Sequence, residues 1–287
     1  MDKKRDIQWF PGHMAKAIRQ IKEQLKLVDL VIEVVDARIP LSSRNPDLTG
    51  IAQGKLRMII LAKSDLADSR TTERWMEKWE SEGIQTLAVD ARNKKDIQTV
   101  IRRIEALAAQ KQEKDARRGI RFRPLRALVA GIPNVGKSTL INSLSSRAVA
   151  KTGNRPGVTK GQQWIKTGKS YELLDTPGLL WPKFSDPKVG EHLAMVGTMP
   201  DSLELMPARD MAYAMIDYGL RVWPDRLKED FGIEPDTERA FMLERAAETI
   251  HARKSGDLLD SDKAAAVIID RFRKGALGPV SLEVVEK

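Results

Sequence analysis

Nearly continuous apolar runs alternate with amphipathic stretches through the first two thirds of the chain. Leu30-Val-Ile-Glu-Val-Val-Asp36 is β-branched and almost wholly apolar, as a strand covered on both faces must be. Arg57-Met-Ile-Ile-Leu-Ala62, Gln85 to Val89 and Arg126-Ala-Leu-Val-Ala130 repeat that pattern. Between them, Met14 to Leu27 sets Ile18, Ile21, Leu25 and Val28 at three- and four-residue steps, the period of a helix. A second helix is predicted over about 71–82, with Trp75 and Trp79 one turn apart and read as core packing. A long one starts near Lys94, and a short one covers 139–144. Two further strands, Gln162–Lys166 and Tyr171–Leu174, are joined by a tight turn at Gly168. A polar loop is expected around Asn45-Pro46. Beyond Trp181-Pro182 the strand patterns stop. Amphipathic helices follow at about 188–197, 207–221, 224–231, 236–253 and 261–274. The pattern predicts an α/β domain over 1–185, its sheet mainly parallel with one antiparallel member, and an all-α C-terminal domain over 186–287.

Composition narrows the class. At 287 residues, 41% hydrophobic and 31% charged, the chain suits one large or two modest globular domains. No run approaches the roughly 18 apolar residues of a membrane span, and Met1-Asp-Lys-Lys-Arg-Asp6 leads into no secretory core, so a cytoplasmic protein is expected. With no cysteine, disulfides and thiolate metal sites are excluded, and three histidines make a His-rich metal site an unpromising reading. Charge is unevenly spread: residues 1–189 carry 36 basic and 21 acidic side chains, whereas Gly190 to Lys287 carry 13 and 19. This asymmetry suits a first part that meets a polyanion, or simply a solvated basic surface. Its densest stretch, Arg117-Arg118-Gly119-Ile120-Arg121-Phe122-Arg123-Pro124, reads as a nucleic-acid contact, a hinge or a connector.

The chemistry centres on Gly131-Ile-Pro-Asn-Val-Gly-Lys-Ser138, a G-x-x-x-x-G-K-S loop between a predicted strand and a predicted helix. That context cradles phosphates: the backbone N–H groups of Asn134, Val135, Gly136, Ser138 and Thr139 and the helix dipole face them. Lys137 reaches the terminal phosphates and the Ser138 hydroxyl binds Mg²⁺. Asp175-Thr-Pro-Gly178 follows at a strand end, where Asp175 holds Mg²⁺ through a water and the Gly178 N–H meets a γ-phosphate. Thr159, after Pro156-Gly157, is placed to close on both, completing a sensor that relaxes on hydrolysis. Gly178 leads within a few residues into the helical part, so a shift at Gly178 to Trp181 is expected to reorient it. A guanine reader is needed as well. Leu227-Lys-Glu-Asp230 lies in helical spacing and is read as a decoy. Ala62-Lys63-Ser64-Asp65, directly after an apolar strand, is the credible copy, with Asp65 accepting from guanine N1 and N2 and Asp90-Ala91 giving a backbone contact to O6. The reader precedes the phosphate machinery, so the GTPase fold is circularly permuted.

That order, together with Trp9-Phe-Pro-Gly-His-Met14, Asp36-Ala-Arg-Ile-Pro40, the phosphate loop through Thr139 and Asp175-Thr-Pro-Gly178, resembles the bacterial ribosome biogenesis GTPase A family over nearly the whole chain. The resemblance implies assembly of the large ribosomal subunit, GTP hydrolysis stimulated by that subunit, and binding of ribosomal RNA to which the C-terminal domain contributes. Leu179 stands where many GTPases carry a water-orienting glutamine, and the resemblance implies His13 as the catalytic group instead. Helix capping or RNA contact is the alternative for His13, and His192 and His251 are read as structural or surface residues. Asn134 resembles the potassium-coordinating asparagine of cation-dependent GTPases; a purely conformational role is the alternative. Ala62 departs from the family's asparagine, at an expected cost of about 1–3 kcal/mol in nucleotide binding. The chain is expected to bind GTP and GDP as a monomer away from membranes. Two other readings are a nucleotide-gated RNA-binding scaffold with little turnover and a permuted GTPase acting on a protein or membrane-associated partner.

Overall fold

A computed structural model describes residues 23–52, 54–145, 163–167, 170–176, 178, 186–198 and 206–285. His13, Thr159, Leu179, the Gly168 turn, the Gly178-to-helical-part linker and most of the helix predicted from Met14 lie outside these residues. Six strands form one sheet: β1 Leu30–Asp36, β2 Leu56–Ala62, β3 Gln85–Val89, β4 Leu125–Gly131, β5 Gln163–Lys166 and β6 Tyr171–Asp175. Their order is β3-β2-β1-β4-β6-β5, parallel except for β5 against β6. This is the mainly parallel sheet with one antiparallel member that the pattern predicts. From β1 the chain builds outward first through β2 and β3, then returns to β1's other side with β4. The loops after β1 and β4 therefore diverge, opening a crevice at the carboxyl ends of the strands, where such sheets bind ligands.

All seven residues of β1 are buried, the consequence of its central place. On one face Ile32, Val34 and Val129 meet Val100, Ile104 and Leu107 of a long helix together with Leu140 and Ile141 of a shorter one. On the other, Val35, Ile59 and Leu61 pack on Trp75 and Trp79, and Val31 and Leu128 on Leu25 and Leu48. Each such side chain withdrawn from water contributes about 1.5–3 kcal/mol. The helices of this part are α1 Pro46–Ile51, α2 Ser69–Ser81, α3 Lys94–Arg117 and α4 Lys137–Ser145. Asp68 accepts from Thr71 N to cap α2, and Asn93 from Lys95 N to cap α3. α1 corrects the polar loop expected at Asn45-Pro46: Pro46 opens a helical turn, and burial of Leu48 and Ala52 outweighs its polar composition.

The later residues form α5 Pro187–Met195, α6 Ala208–Val222, α7 Pro224–Phe231, α8 Met242–Thr249 and α9 Ser261–Arg273 around Met215, Leu227, Phe231, Ile268 and Phe272. The helix predicted over 236–253 is much shorter. Glu234 and Thr237 exchange turn hydrogen bonds at its start, and a 3-10 turn Arg239–Phe241 precedes α8. At its end His251 takes a left-handed φ of 54°, and the chain doubles back through the Arg253–Leu259 bridge. After α9 the chain runs back to the sheet, which no periodicity announces. Val280 N donates to Leu66 O and Leu282 N to Arg38 O, both at 2.9 Å, and Trp75 Nε1 donates to Glu283 O at 3.2 Å.

Candidate active site

β4 ends at Gly131 and α4 begins at Lys137, so Ile132 to Gly136 make the turn between strand and helix. Val135 is fully buried in the core beneath the sheet, anchoring the loop from below and leaving only its backbone to face a ligand. Asn134 and Gly136 adopt positive φ, 55° and 109°; asparagine tolerates the first, and the second favours glycine. The Lys137 ammonium lies folded into the loop, donating to Gly131 O at 3.0 Å and Ile132 O at 2.7 Å. Ser138 and Thr139 follow in the first turn of α4, Ser138 half-buried and Thr139 exposed.

Asp175 ends β6 beside this lysine, and the neighbouring Thr176 hydroxyl donates to Val129 O at 2.8 Å, tying β6 to the strand that feeds the loop. Asp175 Oδ1 is buried and has no hydrogen-bond partner. A buried carboxylate oxygen with nothing to accept is costly unless a ligand completes it. Asp175 and the Ser138 hydroxyl therefore fit Mg²⁺ and would hold it beside the phosphates. Gly178 presses on the loop directly: a Cβ there would stand 2.7 Å from Pro133 Cα, so only glycine admits this approach.

Burial pushes the Lys137 ammonium down to about 8, with Asp175 pulling the other way. Burial raises the Asp175 carboxyl, with Lys137 opposing it. Phosphates brought against Lys137 restore its charged form, so binding takes up a proton wherever the empty protein has lost one. The stabilisation of the complex is complete below about pH 8 and falls as pH rises through that value. Calorimetric titration with GDP at pH 8 in buffers of different ionisation enthalpy should show uptake of about half a proton, vanishing near pH 6.5. Uptake unchanged between the two pH values would contradict this account of Lys137.

The reader lies across the crevice. Ala62 closes β2, and a Cβ on Gly136 would sit 3.9 Å from Ala62 Cβ, so the reader and phosphate loops are close neighbours. Lys63 adopts φ 57°, ψ 36°, left-handed for a side chain that rarely goes there, and caps the 3-10 turn Ser64–Leu66. Its ammonium donates to Asp36 Oδ2 at 2.9 Å, which helps hold that conformation. Ser64 is half-buried within the turn. Asp65 points across to the loop after β3, where Arg92 Nη2 donates to Asp65 Oδ2 at 2.5 Å and Arg92 Nε to Asp90 Oδ1 at 3.1 Å. The Ser143 hydroxyl of α4 donates to Ala91 O at 2.8 Å, fixing the Asp90-Ala91 loop against the helix that follows the phosphate loop. Each Asp65 oxygen has two lone pairs, so a guanine can use both oxygens while Arg92 stays on Oδ2.

The structure thus brings Lys63, Ser64, Asp65, Asp90, Ala91, Asn134 to Thr139, Asp175 and Gly178 to one crevice, while His13 and Thr159 lie outside the described residues. The competing Asp230 sits inside α7, not after a strand, and pairs with Arg226 and Arg271 at 3.2 and 3.1 Å. Sequence reasoning passed over Arg92, Asp36 and Arg38. Arg92 had a signal, its place directly after Asp90-Ala91; the other two belong to a motif that gives no hint of its contacts.

Residues 126–250 match the family model described as 50S ribosome-binding GTPase. The chain is 44% identical over 282 residues to ribosome biogenesis GTPase A of Bacillus cereus, covering 98% of this chain and 95% of that protein. It is 45% identical over 285 residues to that of Bacillus licheniformis, covering 98% and 99%. Among solved structures, YlqF of Thermotoga maritima bound to GNP superposes with a TM-score of 0.59 at 27% identity, covering 94% of this chain and 98% of that one. Similar to these proteins along almost its whole length, the chain belongs to the ribosome biogenesis GTPase A family of circularly permuted GTPases, enzymes of ribosome assembly.

Proposed function

We propose that this GTPase is an assembly factor for the large (50S) ribosomal subunit, binding its ribosomal RNA in a nucleotide-dependent way and hydrolysing GTP fastest when docked there. The observation that carries the reading is the full-length similarity to ribosome biogenesis GTPases A, and it is supported by Asp65 and Lys137 standing at the carboxyl ends of the strands. A docking surface for RNA is supported by the opposite end of the sheet. There Leu27, Leu56, Ile120 and Phe122 are exposed, four of the nine exposed large hydrophobics among the described residues. They share one rim: Leu56 N donates to Asp29 O, and Arg123 grips Asp29 through two 2.7 Å hydrogen bonds. Exposed Lys26, Lys114, Arg118 and Arg121 surround them, a mixture of cations and apolar surface suited to phosphates and unstacked bases.

In this reading the protein acts as a cytoplasmic monomer. Thr159 closes on Mg²⁺ and the γ-phosphate, His13 orients the attacking water in the absence of a glutamine at position 179, and Asn134 coordinates K⁺ beside the phosphates. Among the described residues no helix is long and apolar enough to cross a membrane. Co-sedimentation tests the reading: with a non-hydrolysable GTP analogue the protein should pellet with large subunits, not small ones. Binding should weaken with GDP and fall steeply with salt as counterions are released. Equal binding to both subunits, or none, would refute it. Ala62 favours a second reading, a scaffold with little turnover, and multiple-turnover phosphate release with and without large subunits separates the two.

A further inference from the structure

Lys63 of the guanine reader does not hang free. Its ammonium rests on Asp36 Oδ2, and Asp36 is fully buried at the end of β1. Burial alone would raise the Asp36 carboxyl, but Arg38 and Lys63 outweigh it and hold it well below the usual carboxylate range. Arg38, itself 1% exposed, wraps that carboxylate: its backbone N–H and Nε donate to Oδ1 at 3.1 and 2.9 Å, and Nη2 donates to Oδ2 at 2.8 Å. The guanidinium has donors left over, and they end in the helical part. Nη1 donates to Arg273 O at 3.0 Å, at the close of α9, and Nη2 to Val196 O at 3.3 Å, just after α5.

The same junction is fastened twice more around the reader. Val280 N donates to Leu66 O, the last residue of the reader's 3-10 turn, and Asp68 N to Ser281 Oγ at 3.2 Å. A Cβ on Gly275 would lie 2.8 Å from Leu66 Cδ2, so the turn after α9 abuts the reader turn itself. A fork of this kind is specific to arginine: lysine keeps the charge but cannot bridge two carboxylate oxygens and two separate carbonyls.

We infer that Asp36 and Arg38 are positioning residues of the guanine reader, and that through them the helical part completes the guanine pocket from the base side. Guanine occupancy and the docked helical part then favour each other, and the coupling is reciprocal. It differs from a γ-phosphate switch because it acts on GDP and GTP alike. The path is contiguous: base, Lys63 and Asp65, Asp36, Arg38, then the carbonyls of Val196 and Arg273.

The test uses Arg38→Lys in the full chain. Its affinity for GDP and for a GTP analogue should fall together, by roughly 5- to 100-fold. Affinity for Mg²⁺–pyrophosphate, which meets only the phosphate loop, should hold. In turnover, KM for GTP should rise while kcat at saturation is kept, the signature of lost uniform binding. An unchanged GDP affinity would overturn the inference, and so would a parallel loss of pyrophosphate binding, since the effect would then be general disruption. Hydrogen exchange on the unmodified protein gives a second reading if the variant fails to fold. GDP should slow exchange of the amides of residues 195–198 and 272–282, and pyrophosphate should not. Absence of that base-dependent protection would equally sink the proposal.

Discussion

Lys137→Ala is expected to leave a folded protein that has lost GTP turnover. The ammonium is the one charge folded into the phosphate loop, held by Gly131 O and Ile132 O, and a nucleotide replaces those carbonyls with phosphate oxygens. Charge-assisted hydrogen bonds of that kind are among the strongest a protein makes. Alanine removes the charge from the ground state and, at greater cost, from the transition state, where negative charge builds on the phosphates. Turnover under subunit-stimulated conditions should fall roughly 10²–10³-fold, the range seen when one preorganised donor to developing charge is lost. Nucleotide affinity should fall in parallel. Stability should not, because burying Lys137 works against its charged form in the empty protein. Phosphate release, a fluorescent-GDP titration and a thermal melt check the three parts. Undiminished turnover would remove Lys137 from the site.

Much of the fold was legible because its strands are buried on both faces. Leu30–Asp36 and Leu56–Ala62 are apolar runs with few alternatives, and Asp68, Asn93 and Asp260 mark helix starts with side chains that accept from the first turn. The phosphate loop and reader were legible for a different reason. Each is a short motif whose chemistry depends on backbone shape, and each follows a predicted strand. Contacts between distant segments were not legible. The strand-like approach of Val280 and Leu282 to Leu66 and Arg38 leaves no period, since it rests on two backbone hydrogen bonds. The Arg38 fork reaches 235 residues along the chain to Arg273 O, and nothing local marks it. The helix expected over 236–253 failed where local chemistry prevailed over periodicity, at the Glu234–Thr237 turn and the left-handed His251.

Ala62 deserves weighing beside this. The family's asparagine would tie the reader to the phosphate loop; here the Ala62 methyl group faces Gly136 and makes no such hydrogen bond. The reader is instead held from behind, by Asp36 on Lys63, and from the side, by Arg92 on Asp65. Guanine preference is therefore expected to depend on Asp65 more heavily than it would with an asparagine present.

Asp65→Asn carries the second large effect. A carboxylate accepts from both guanine N1–H and N2–H, whereas an amide presents one acceptor and one donor, leaving a guanine donor facing an N–H. Sites built to pair such a group reject the mismatched partner strongly, here by roughly 10²–10⁴-fold. Xanthine, with an oxygen in place of the N2 amine, offers the amide a matching acceptor. Asp230→Asn supplies the control, since that residue is paired with Arg226 of α7 and Arg271 of α9. Titration of Asp65→Asn and Asp230→Asn with GDP and XDP tests whether the guanine reader lies ahead of the phosphate loop, at Asp65. Asp65→Asn is expected to lose GDP and gain XDP while Asp230→Asn behaves as the unmodified protein. Retained GDP preference in Asp65→Asn, or a switch to XDP in Asp230→Asn, would contradict it.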